Sequence, residues 1–200
     1  MMKQIILFII LFSIVFGTTS CKRIVEFSSQ QKVEKLSEGK FSLTNEKNVK
    51  IPKFSKKSQT VIYLVRHAEK EKTKGDVHLT NTGKTRANNL KSILIDEQLD
   101  MVFSTRFNRT QETAEPSATA HQLNIQEYDP GRLESFGQSI LDNHQGKKIL
   151  VVGHSNTTPK LLNFFMGEEV KGMIDESDYE NLYVISISKK GNAKALLLKY

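Results

Sequence analysis

The chain has 200 residues, 38% of them hydrophobic, with a single cysteine and a formal net charge of +7, which suits one packed domain with attachments and excludes a disulfide scaffold. The charge is unevenly spread: residues 60–200 hold equal numbers of basic and acidic side chains, and the surplus sits almost wholly in residues 22–59. A nucleic-acid partner is therefore not expected, because no positive stripe can be read on the part that folds.

Residues Ile5 to Phe16 are apolar apart from Ser13, follow Lys3 and lead into Gly17-Thr18-Thr19-Ser20-Cys21. That run is too short to span a bilayer, and its charged start and small-residue end are those of a secretory signal. It resembles a bacterial lipoprotein signal peptide, although Thr18 stands where that family usually has Leu. The resemblance implies a signal peptide over residues 1–20, lipidation at Cys21 and a domain anchored in the bacterial cell envelope, facing outside the cytoplasm. Residues 21–59 are polar and basic with isolated apolar side chains such as Leu36 and Phe41, and are expected to form a flexible tether with at most a short strand over 40–43.

From Thr60 onward, apolar runs alternate with amphipathic stretches, the pattern of an α/β sheet with crossover helices. Strands are predicted at 61–65, 101–103, 125–128 and 149–152, with a closing hairpin of 181–188 and 193–199. Thr80 is expected to cap a helix with Ala87, Leu90, Ile93 and Leu94 on its inner stripe. Further helices are predicted at about 109–122, interrupted or kinked by Pro116, at 133–143, and at 156–166 with Pro159 tolerated in the first turn.

Two of the strands end in a histidine, at Val65-Arg66-His67 and Val152-Gly153-His154. In a parallel sheet both imidazoles reach the same edge, where open α/β sheets bind ligands. A third strand end brings Ser104-Thr105-Arg106-Phe107-Asn108-Arg109, and arginine forks at a helix start are phosphate-binding devices.

These motifs resemble the histidine phosphatase superfamily, and in particular its short, phosphohistidine-phosphatase-like branch. Arg66-His67-Ala68 stands for its Arg-His-Gly. Leu79-Thr80 with Gly83 and Ala87 is similar to its helix start, Ser104 through Arg109 to Thr113-Ala114 to its arginine segment, and Gly153-His154-Ser155 to its second histidine motif. The resemblance implies a phosphoglycerate-mutase-like fold over residues 60–200: a three-layer sandwich with a mostly parallel central sheet and helices on both faces. It also implies a metal-independent phosphatase needing no cofactor, acting on a phosphomonoester or phosphohistidine, in a small molecule or a phosphoprotein. His67 would be the nucleophile, since a neutral imidazole attacks phosphorus at neutral pH. Arg66, Arg109 and a protonated His154 would bind the phosphoryl oxygens. For the leaving-group acid the candidates are Asp129 and Glu134, with Glu127 a further carboxylate nearby. Ser155 and Asn156 are expected to cap the helix that follows. A mutase is disfavoured by the short segment between Ala114 and Ile149. The competing reading is a non-catalytic phosphate- or phosphoglycan-binding lipoprotein on the same fold.

Overall fold

The computed structural model describes residues 24–26, 32–44, 47–54 and 59–200. Cys21 and the expected signal segment lie outside them. The chain order is β1 (Ile24–Glu26), β2 (Val33–Ser37), β3 (Lys40–Leu43), β4 (Asn48–Lys50), β5 (Thr60–Arg66), α1 (Asn81–Leu94), β6 (Met101–Ser104), α2 (Asn108–Ala120), β7 (Ile125–Glu127), α3 (Leu133–Asn143), β8 (Lys148–Gly153), α4 (Thr157–Met166), β9 (Asn181–Lys189) and β10 (Asn192–Lys199).

Seven of these strands form one sheet in the order β1-β10-β9-β5-β8-β6-β7. β5, β8, β6 and β7 pair in parallel, as do β1 and β10, and β9 alone runs against its neighbours β5 and β10. Every residue of β5 is buried, as an apolar run lying between two helical layers requires. Alternate residues then serve opposite faces. Tyr63, Val65, Leu150, Val152 and Val184 pack with Leu90, Ile93 and Leu94 of α1 and Ala114 and Ala118 of α2. Ile62, Leu64, Ile149, Val151 and Ile185 pack with Ile140 of α3 and Leu161, Leu162 and Phe165 of α4. The result is the three-layer sandwich with a mostly parallel sheet that the resemblance implies.

Thr80 caps α1 as expected, accepting from Gly83 N at 3.1 Å. Pro116 sits inside α2 without dividing it. Asn156 precedes α4 but makes no side-chain cap; His154 N donates instead to Thr157 Oγ1 at 2.9 Å.

The segment expected to be a tether differs most. β2, β3 and β4 form an antiparallel sheet of their own, and Val33, Leu36, Phe41, Leu43 and Ile51 are buried in the same core as Tyr63 and Leu90. The folded body thus begins before residue 60. Within strands this short, single buried side chains are separated by exposed Lys and Glu and half-buried Ser, so the segment reads as polar although one face is apolar.

Candidate active site

The adjacent parallel strands β5 and β8 are in a register that sets Arg66 beside Gly153, so His67 and His154 leave the sheet side by side. His67 N donates to Gly153 O at 2.9 Å, and the two rings lie 5.6 Å apart between centroids. β6, on the other side of β8, ends at the same edge and delivers Thr105 and, through the start of α2, Arg109. Glycine is required at position 153, where a Cβ would lie 2.9 Å from both Thr157 Oγ1 and Tyr128 Oη.

His67 is 3% exposed, and its Nδ1 lies 2.8 Å from Ala68 O. A carbonyl can only accept, so Nδ1 carries the hydrogen and Nε2 keeps its lone pair. Burial is the largest cause lowering this imidazole to about 3; the charges of Arg66, His154 and Arg109 add to it, against the Ala68 hydrogen bond. Ala68 N in turn donates to Thr113 Oγ1 at 2.9 Å, which ties the loop after β5 to α2. A second tie runs through Glu69. Its carbonyl accepts from Thr80 N at 2.9 Å, and a Cβ at position 83 would lie 2.1 Å from that oxygen. Its carboxylate takes a fork from Arg86, at 2.9 Å from Nε and 2.7 Å from NH2. Glu69 therefore braces the loop rather than facing the cavity.

His154 Nε2 lies 3.0 Å from Thr105 Oγ1, which lies 2.8 Å from Thr110 Oγ1. The hydroxyl of Thr110 has one hydrogen, and its oxygen is 2.7 Å from Phe107 O. That hydrogen goes to a carbonyl, so Thr105 donates to Thr110 and accepts from His154 Nε2–H. Nδ1 is then the nitrogen that changes protonation. Burial first, then Arg109 and Arg66, lower His154 to about 4, so in the unliganded protein it is neutral at pH 7. A phosphoryl dianion beside it would raise that value.

The two arginines supply the positive charge. Arg66 is 1% exposed; its NH1 donates to the carbonyls of Asp175, Glu176 and Asp178 and its NH2 to Glu176 Oε2 at 2.8 Å, and Tyr179 stacks 4.2 Å from its guanidinium. Arg109 stacks on Phe107 at 4.6 Å. The Nε–H of each is buried without a partner. Leaving a buried donor unpaired costs roughly 1–3 kcal/mol, which an anionic ligand accepting from both would offset.

His67, Arg109 and His154 line a cavity of about 600 Å³, with Lys70, Phe107, Pro130, Ser155, Met173 and Glu176 among its other walls. Arg66 is not part of that lining but pairs with Glu176, which is. Neither acid candidate reaches this cavity. Asp129 is exposed and turns back on its own loop, Oδ1 accepting from Gly131 N at 2.8 Å, an Asx turn that occupies the carboxylate. Glu134, in the first turn of α3, lines a separate cavity with Lys160 and Phe164, and Glu127 is exposed at the end of β7. The carboxylate that does line the site, Glu176, goes unremarked in the sequence; Ser155, read first as a helix cap and only second as a pocket contact, lines the cavity, and its Oγ donates to Glu176 Oε1 at 2.5 Å. The signal for both was topological: β9 runs antiparallel to β5, so the loop before it must return to the edge where β5 and β8 end.

Solved structures share this fold. A candidate alpha-ribazole-5'-P phosphatase of Escherichia coli aligns with a TM-score of 0.57 and 19% identity, covering 70% of this chain and 96% of that one. The protein histidine phosphatase SixA complexed with tungstate aligns at 0.55 with 14% identity over 70% and 96%. A mycobacterial glucosyl-3-phosphoglycerate phosphatase aligns at 0.55 with 12% identity over 72% and 98%. Comparison with curated proteins finds no sequence match. The model of the Histidine phosphatase superfamily (branch 1) matches residues 62–131, the segment from β5 to the turn after β7 that contains Arg66, His67 and Arg109, and this match with the shared fold supports that superfamily.

Proposed function

We propose that this protein is a phosphatase that hydrolyses a phosphomonoester or phosphohistidine through a phosphohistidine formed on His67. The observation that carries the reading is the free Nε2 of His67, its Nδ1–H held by Ala68 O, beside two arginines with unpartnered buried Nε–H groups. Nε2 attacks phosphorus as the bond to the leaving group breaks, and water then attacks the phosphohistidine, returning the imidazole and releasing inorganic phosphate. Arg66, Arg109 and His154, once protonated against the bound dianion, stabilise charge on the transferring oxygens. With these cations in place the reaction needs no metal for charge neutralisation. Neither Asp129 nor Glu134 is positioned to protonate the departing group, and Glu176, which does line the cavity, is held in its ionised form by the Ser155 hydrogen bond and Arg66, so phosphoramidates and aryl phosphates should turn over faster than alkyl phosphates. The kinship in fold with a protein histidine phosphatase agrees with that preference.

The test is p-nitrophenyl phosphate turnover together with trapping of the phosphoenzyme. His67→Ala is expected to abolish both, a loss of at least 10³-fold. Retained turnover in that variant refutes the nucleophile assignment, and phosphate binding without turnover by the unaltered protein favours a non-catalytic binder instead.

A further inference from the structure

Glu176 is the one carboxylate among the described residues lining the cavity, and its two oxygens engage Ser155 on the same wall and Arg66, which the phosphatase reading assigns to the phosphoryl group. Oε2 accepts from Arg66 NH2 at 2.8 Å and Oε1 from Ser155 Oγ at 2.5 Å, so the carboxylate bridges a guanidinium and a hydroxyl much as two oxygens of a phosphate would. The two partners differ in freedom. The side chain of Arg66 is 1% exposed and that of Glu176 is 72% exposed, and NH1 of Arg66 is held by three carbonyls of the same loop. An ion pair with one largely exposed partner is weak and screened by solvent. Of the two, the carboxylate is the side chain able to leave.

We propose, on the basis of the phosphatase reading of the His67 site, that Glu176 is a specificity-determining residue acting as an internal competitor for the phosphoryl group. Its carboxylate holds Arg66 and Ser155 until a ligand displaces it, and its charge opposes any anion bound beside it. Free inorganic phosphate has only the phosphoryl contacts with which to displace it. A substrate adds contacts from its leaving group to Phe107, Met173 or Lys70 at the cavity wall, so the competition weighs more heavily on product than on substrate.

The experiment compares the unaltered protein with Glu176→Gln. Equilibrium binding of inorganic phosphate and tungstate is measured, together with the KM for p-nitrophenyl phosphate and product inhibition by phosphate. Removing one opposing charge at this range is expected to tighten phosphate and tungstate binding roughly tenfold, with a smaller fall in KM. A role confined to bracing Arg66 predicts the opposite, weaker binding. Phosphate binding that is unchanged or weakened, with turnover intact, overturns the competitor while leaving the phosphatase reading standing. Neither binding nor turnover in both proteins overturns the two together. Glu176→Ala carries the same expectation and replaces the amide variant should that one misfold.

Discussion

At the scale of single residues, His67 and His154 are unusual less for being histidines than for being uncharged. A histidine with its ordinary value of 6.5 would be mostly protonated at pH 5, and a protonated nitrogen has no lone pair to attack with. His67 is lowered to about 3, chiefly by burial, so it stays neutral throughout the range in which an exposed imidazole titrates. The ratio kcat/KM reports the free enzyme. For an aryl phosphate, corrected for the ionisation of the substrate itself, it should therefore not fall between pH 7 and pH 5, and the proton that His154 takes up against the dianion should make it rise. A tenfold loss following a single ionisation near 6.5 would show that His67 titrates as an ordinary histidine. His67 and the two arginines are legible in sequence because each follows an apolar run within one to six residues. An acid is not, because position after the third strand says nothing of where a carboxylate faces: Asp129 accepts from Gly131 N, and Glu134, in the first turn of α3, lines a separate cavity.

At the scale of elements, the strands and helices after residue 60 follow their hydrophobic pattern closely, α3 to the residue. β3 lies where a short strand is expected, over 40–43, whereas β2 and β4 escape that reading, because apolar residues such as Leu36, Phe41 and Leu43 stand singly among polar neighbours. Their partners are supplied by α1 and the main sheet, which only the fold brings near. A fragment covering 60–200 lacks these side chains, which pack in the same core as Val61, Leu90 and Leu94. Full burial of a large apolar side chain is worth about 1.5–3 kcal/mol, so chemical denaturation should find that fragment less stable than 32–200 by on the order of 5 kcal/mol. Equal midpoints for the two would show that the small sheet adds nothing to the core. Glu176 belongs to this scale too: its position follows from the reversed direction of β9, a property of pairing that no local pattern announces.

At the scale of the whole molecule, the proposal that Cys21 carries a lipid stands on the sequence of the signal segment. Mass spectrometry of the mature N-terminus tests it: an acylated Cys21 is expected, and an intact Met1 or a free thiol refutes it. The pairing of β1 beside β10, Ile24 against Ala195, gives that anchor a different meaning from the one a leash of residues 22–59 would have. Such a leash could reach roughly 130 Å when fully extended. From Cys21 to Ile24 the covalent span is only about 10 Å. With that lipid attached, the domain would ride against the membrane instead of sweeping a volume above it. Its substrates would then be those that reach the headgroup layer, and its cavity would open toward a fixed direction relative to the bilayer.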